Sequence, residues 1–299
     1  MRAEPFGVRM AYRKVRSMGG PDAGPAAFMD SLRGLASDSA DRLYAVGDRR
    51  VVVFAPDGSV VHAWPLPAPA LCIAVHEDGT LYAGGEGWVV VLSSTGAVVD
   101  TWRDRERLGL VTGLAVRGED VIAADVGGKC LRRFDRSGKF RNDIGKPTRG
   151  RGFMAPNRHL DVALDAAGRV LAPNPGKLRV ETYTLEGELV GFFGGFRGPD
   201  PAGFAGCCNP TNIAVARDGR IVVTEKADPR VKIYAPDGGL LAVFGGGDFD
   251  LGCKNMDVAV DGRDRIHVID TERRLILTYE PAAAATRPVS AGACAAPGS

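Results

Sequence analysis

The stretch Asn209–Gly245 reads NPTNIAVARDGRIVVTEKADPRVKIYAPDGGLLAVFG. It holds four short runs rich in Val, Ile, Leu and Ala: TNIAV, RIVV, VKIYA and GLLAVF. Residues of turn type separate them, with Asp-Gly dipeptides at Asp218-Gly219 and Asp237-Gly238. β-branched and aromatic residues suit a pleated strand, and Asp-Gly suits a tight reversal between antiparallel strands. About 37 residues of this kind predict a meander of four strands.

The pattern recurs along the chain. Aligned on the alanine of the first run, the copies are RGLAS (Ala36), LCIAV (Ala74), TGLAV (Ala115), LDVAL (Ala163), TNIAV (Ala214) and MDVAV (Ala259), spaced by 38, 41, 48, 51 and 45 residues. Each is followed by a second run such as DRLYAV or RDRIHV, and by a third such as VVVFAPDG or LRRFDRSG. Four strands repeating every ~40–50 residues describe a propeller blade, and six copies predict an all-β, six-bladed β-propeller. No break in composition divides the repeat, and no helical segment or capping repeat points to a solenoid.

The sixth copy lacks a fourth run. The leader, residues 1–29, contains RMAYRKV at positions 9–15, whose apolar/basic alternation predicts the missing strand. A strand supplied from the N-terminus closes the ring and covers an open edge. The expected organisation is therefore the leader with its closing strand, the propeller over 30–280, and a disordered Ala/Pro-rich tail over 281–299 that carries Cys294.

In its order small–hydrophobic–Ala–Val, Asp-Gly-Arg-Ile, Arg-Val-x-x-Tyr, Asp-Gly, the sequence resembles the NHL repeat family of six-bladed propellers, over roughly residues 30–280. The stretch CCNPTNIAV…DGRIVVTEK…PRVKIYAPDGGLL is similar to a bacterial subgroup of that family. The resemblance implies the fold. Enzymes, binding platforms and scaffolds are all built on it, so function rests on the site.

Chemistry collects in half of the repeat. Two residues before each alanine stand Gly34, Cys72 and Gly113 in the first three copies, and Asp161, Asn212 and Asp257 in the last three. Four and six residues before it, the last three copies add His159 and Asn157, then Pro210 and Cys208, then Asn255 and Cys253. Strand alternation places these on one face, so Cys208 and Cys253 are expected to meet near one mouth of the channel, with Cys207 and Asn209 beside them. The longest insertions, 145–157, 194–206 and 245–252, fall just ahead of these segments, on one rim, where binding loops concentrate.

Three readings of the cysteines stand side by side. Cys207, Cys208 and Cys253, with His159, form a candidate metal site for Zn2+ or, with sulfur alone, Cu(I). A Cys208–Cys253 or vicinal Cys207–Cys208 disulfide is a candidate redox site. Small buried thiols filling space are the structural reading, applied also to Cys72 and Cys130. Asp161, Asn212 and Asp257 are candidate oxygen ligands for Ca2+ at the axis. Equally, they are candidate caps that take strand amides and keep neighbouring blades in register. Asn157, Asn209 and Asn255 complete the ligand-binding candidates. Glu225, Lys226 and Arg230 read as a charged surface turn.

The leading functional expectation is the cysteine-centred metal or thiol-redox site. The alternatives are a non-catalytic platform that binds a protein or small molecule on the rim loops of blades 4–6, and a Ca2+-dependent hydrolase or lyase of the six-bladed type. Catalysis, if present, would be metal-assisted hydrolysis, lyase chemistry or thiol-linked electron transfer. The net charge of +2 gives no general drive toward nucleic acid. The basic run Lys146, Arg149, Arg151 and Arg158 reads as a solvated loop or a cradle for an anion. No apolar run approaches the ~20 residues of a membrane span. The sequence reads as a monomer. The missing apolar leader points to the cytoplasm, although a chain stripped of its leader would read the same.

Overall fold

The computed structural model describes residues 10–146, 152–206 and 208–282. Six sheets of four antiparallel strands stand around one axis. Blade 1 runs Gly34–Ser37, Leu43–Gly47, Arg50–Phe54 and Val60–Pro65. Blade 2 begins at Cys72–Val75, blade 3 at Val111–Arg117, blade 4 at Ala163–Leu164, blade 5 at Ile213–Val215 and blade 6 at Val258–Val260. Each sheet keeps chain order from the axis outward, except the last.

In blade 6 the fourth strand is Tyr12–Gly19, antiparallel to Leu275–Pro281. The closing strand is thus N-terminal, as its alternation predicts, but it lies further along the chain than 9–15. Its register is set by Leu275–Pro281, with Ser17 opposite Leu277, and it slips between Lys14 and Arg16. Tyr12 stacks on Phe244 of blade 5 at 4.8 Å, so the strand also seals the neighbouring interface. The tail beyond Ala282, with Cys294, lies outside the described residues.

Apolar side chains pack between blades. Six clusters of buried residues occupy the six interfaces, from Tyr44, Val53 and Val90 between blades 1 and 2 to Phe28, Phe54 and Ile276 between blades 6 and 1. This explains the nearly continuous apolar second and third strands, since both of their faces are covered.

In an antiparallel meander, the second-to-third turn and the crossover to the next blade fall at the same end of the sheet. Side chains knit them together on this crossover face. In blade 1, Asp48 accepts the amides of Met29, Asp30 and Ser31 at 2.7–3.0 Å. In blade 3, Asp125 accepts from Leu110 and Gly127. In blade 6, Asp270 accepts from Asp250. The long crossovers of blades 4–6 and that entering blade 1 therefore share one rim.

The innermost strands of blades 4, 5 and 6 are short. They start only after Asp161, Asn212 and Asp257. Ahead of these residues the chain keeps isolated bonds, such as Thr224 N–H to Asn212 O at 3.1 Å. The strand alternation expected to align positions 157–161, 208–212 and 253–257 on one face therefore does not extend through them. Pro210, which follows a cis peptide bond, has no N–H to give to a ladder, and the polar side chains bind backbone amides themselves.

Candidate functional site

The residues two before each alanine form a ring in which each reaches the following blade. Asp161 Oδ2 accepts the Ile213 amide of blade 5 at 2.9 Å. Asn212 Nδ2 donates to Asp257 Oδ1 of blade 6 at 3.0 Å. Asp257 Oδ2 accepts the Leu35 amide of blade 1 at 2.7 Å. Cys72 Sγ lies 3.6 Å from Val111 O of blade 3. The two glycines complete the ring by what they lack. A Cβ on Gly34 would stand 2.8 Å from Cys72 Cα, and one on Gly113 would stand 2.6 Å from Asp161 Oδ1. The blade backbones approach too closely there for any side chain.

Below the ring the channel is lined by the inner strands and their alanines, enclosing about 220 Å³. With little water to solvate them, the two carboxylates hold protons more tightly. Burial, then the charge of Asp257, raises Asp161 well above the usual carboxylate range. Burial pushes Asp257 up to about 6. His159 is buried nearby. Burial lowers it to about 4, against the help of Asn212, and the guanidinium of Arg33 across the mouth adds to the fall. Its imidazole is therefore neutral near pH 7. His159 Nε2 and Asn212 Oδ1 are buried without a hydrogen-bond partner among the described residues.

All four oxygens of Asp161 and Asp257 accept N–H groups, because Val162 N also binds Asp161 Oδ1 at 2.9 Å. These contacts make the pair a latch between blades. The capping role expected for these residues is the contact that the structure places here.

The cysteines are distributed differently. Cys253 is buried in the apolar cluster between blades 5 and 6, and its thiol donates to Asp270 Oδ1 at 3.2 Å. It is a free thiol, so the Cys208–Cys253 bridge is absent, and burial raises its pKa. Cys208 is buried at the entrance to blade 5. Cys207 lies outside the described residues. Among the described residues no group of three His, Cys, Asp or Glu side chains is arranged to hold a metal ion.

Asn209 pins the loop that carries Cys208. Its Nδ2 donates to Ala205 O and Lys226 O, and its Oδ1 accepts the Lys226 amide at 2.8 Å. Asn157 and Asn255 are half-buried on the same rim, and Asn255 Oδ1 lacks a partner among the described residues. Of the basic run, Lys146 pairs with Asp143 at 3.0 Å and Arg158 is exposed, while Arg149 and Arg151 lie outside the described residues.

Of the expected charged surface turn, Glu225 is in fact buried, whereas Lys226 and Arg230 are half-buried. Glu225 is fully enclosed and pairs with Lys232 at 2.9 Å and with Arg230 at 2.6 Å. Lys232, also enclosed, donates to Gly203 O at 2.6 Å and lies 4.9 Å over the Phe204 ring. The long crossover into blade 5 folds across the blade and covers both charges. The repeat carries the signal for this. The equivalent third-strand positions are Val52, Val90 and Leu277 in blades 1, 2 and 6, but Arg132, Glu181 and Lys232 in blades 3, 4 and 5. Each of the three charged residues enters an ion-pair network with little exposure.

One further feature distinguishes the crossover face. Its loops carry four large apolar side chains that are mostly exposed: Met29 (63%), Met154 (58%), Phe196 (72%) and Leu251 (76%). They come from the crossovers entering blades 1, 4, 5 and 6, which are consecutive around the ring. The crossovers entering blades 2 and 3 instead bury their apolar residues Leu66, Ala70 and Leu108.

No family model matches the chain. Among curated proteins it is similar to the protein named brain tumor of Drosophila melanogaster, with 27% identity over 136 residues, or 45% of this chain and 12% of that protein. The match thus spans a small part of that relative's length. Among solved structures, a Bacteroides thetaiotaomicron protein of unknown function superposes with a TM-score of 0.69 at 15% identity, covering 91% of this chain and 76% of that one. Virginiamycin B lyase from Staphylococcus aureus gives 0.59 at 12% identity, over 90% and 99% of the two chains. A streptogramin B lyase gives 0.60 at 11%, over 84% and 93%. At these identities the likeness is one of fold, and no residue role comes with it.

Proposed function

We propose that the chain is an NHL-type propeller that works as a binding platform, and that it recognises a protein partner on the crossover face of blades 4, 5, 6 and 1. The observation that carries this reading is the set of exposed Met29, Met154, Phe196 and Leu251 on consecutive loops of one rim. Large apolar side chains gathered on one surface and surrounded by polar groups are typical of protein contact sites. The rigid ring beneath them supports the reading: the loops are tied to the blades by Asp48, Asp270, Asn209 and Lys232, so little ordering is lost on binding. The similarity to an NHL-repeat protein agrees with it.

The test compares capture of partners from extracts of the native source. Wild type is set against Met29→Ser/Met154→Ser/Phe196→Ser/Leu251→Ser, with Val98→Ser/Val99→Ser on the outer edge of blade 2 as control. Loss of the same captured protein in the first variant alone supports the platform. Equal capture by all three overturns it. A copper or zinc content that survives dialysis and disappears in Cys208→Ser would instead move the functional centre to the cysteines.

A further inference from the structure

On the crossover face, at the seam between blades 6 and 1, a pocket of about 340 Å³ opens beside the channel mouth. Its size lies at the lower end of the range for small-molecule sites. Arg33 from one crossover, Lys254 from another and Arg274 from the blade 6 turn line it, together with the carboxylates of Asp30 and Glu272 and the amide of Asn255.

The pocket differs from an ordinary charged surface in its pairing. None of these three cations and two carboxylates forms an ion pair among the described residues, whereas the adjacent Arg273 pairs with Asp250 and Asp270. Two buried polar atoms of the lining residues lack a partner among the described residues: Arg274 Nε, a donor, and Asn255 Oδ1, an acceptor. Buried polar groups are nearly always satisfied, so each such orphan calls for a cause. The walls are fixed, because Asp48 holds the Asp30 and Ser31 amides.

We propose that this pocket binds a small organic acid that carries an amino or hydroxyl group beside its carboxylate. The oxyanion is taken by Arg33, Lys254 and Arg274, and the donor by Asn255 Oδ1 with Asp30 or Glu272. Three cations against two carboxylates leave one net positive charge, which suits an anion or a zwitterion and disfavours a simple cation. Guanidinium groups match the planar geometry of a carboxylate, and the ammonium adds a mobile point charge. The site goes beyond the protein-docking surface and does not depend on it: Met29 and Leu251 are its neighbours in sequence, but neither lines it.

The experiment is isothermal titration of the full chain with L-aspartate and with succinate, which share a skeleton and differ in the amino group. Saturable binding of L-aspartate is expected. Succinate should bind at least about tenfold more weakly, because it leaves the buried acceptor unpaired. Lys254→Ala/Arg33→Ala, which alters only exposed side chains, should weaken L-aspartate binding at least about tenfold while its melting curve stays unchanged. Absence of saturable L-aspartate binding overturns the site. So does unchanged affinity in the double variant, and succinate binding as tight as L-aspartate overturns the donor half. The titration involves no partner, so a failure here leaves the capture result for the four apolar residues standing.

Discussion

Lys232 Nζ lies 2.9 Å from Glu225 Oε2, and both side chains are shut off from solvent. The same nitrogen holds the Gly203 carbonyl of the long crossover that leads to Cys208. A buried pair of this kind is costly to form but more costly to break, because removing one partner strands the other charge. Lys232→Met should therefore destabilise the protein by about 3 kcal/mol, somewhat relieved by Arg230, which also binds Glu225. The double variant Lys232→Met/Glu225→Leu should recover much of the loss. Urea unfolding midpoints check this. A single variant as stable as wild type would show the pair to be dispensable.

The axial latch makes opposed contributions to pH dependence. Burial raises Asp257 from the ordinary carboxylate value to about 6, and raises Asp161 as well. The folded state then takes up protons that the unfolded chain releases, so this contribution is full below about pH 4 and is lost as pH rises through 6. Burial lowers His159 to about 4. Its contribution is full above about pH 6.5 and is lost as pH falls through 4. Stability measured between pH 4 and 6.5 should fall more steeply on acidification in Asp257→Asn than in wild type. In His159→Gln it should fall less steeply, or rise. Parallel curves for all three proteins would remove these groups from the pH response.

Gly113 and Asp161 test the tightness of the ring. A methyl group on Gly113 would meet Asp161 Oδ1 at 2.6 Å and Asp161 Cα at 2.8 Å, both within the blade 3–blade 4 approach. Gly113→Ala should lower stability by roughly 1–3 kcal/mol, as overpacking does. Gly191→Ala, where a Cβ meets nothing within 4 Å, is the control and should be neutral or stabilising. Equal melting temperatures for the two variants would show that the ring yields easily.

Closure by the N-terminal strand predicts the effect of truncation. Removing residues 1–19 takes away the fourth strand of blade 6, its pairing with Leu275–Pro281 and the Tyr12–Phe244 stack. An unpaired edge is then exposed. The truncated chain should melt at a clearly lower temperature than one lacking only residues 1–9, and should aggregate on heating. Similar melting of the truncated and full chains would show that blade 6 stands without its fourth strand.

The thiols offer a chemical check. Burial raises Cys72 well above the usual thiol range, Cys130 to about 11, and Cys253 upward as well. In a chain with Cys207, Cys208 and Cys294 replaced by serine, these three should react with a thiol reagent at pH 8 only after unfolding, because thiolate and access are both lacking. Rapid labelling of one equivalent in the native state would reveal an accessible, activated thiol.

The repeat was legible because it is local. Runs of Val, Ile and Tyr between Asp-Gly turns record hydrogen-bonding partners a few residues apart, so blade number, blade order and the provenance of the closing strand followed from sequence. The alignment on alanine also placed Asp161, Asn212 and Asp257 at one level around the axis, and the structure puts them there. Strand alternation does not carry outward to Cys208 and Cys253, because the inner strands of blades 5 and 6 begin only at Ile213 and Val258.

The sequence alone therefore determined a six-bladed ring and the half of it in which polar residues gather. Only tertiary structure decided which of those residues are buried links and which face outward. Cys253 turns to Asp270 because the second-to-third turn of its own blade lies over it, and Lys232 is hidden because a crossover folds across it. Both depend on loops packing against distant backbone. Such contacts leave no periodic trace in the chain, whereas a strand ladder does.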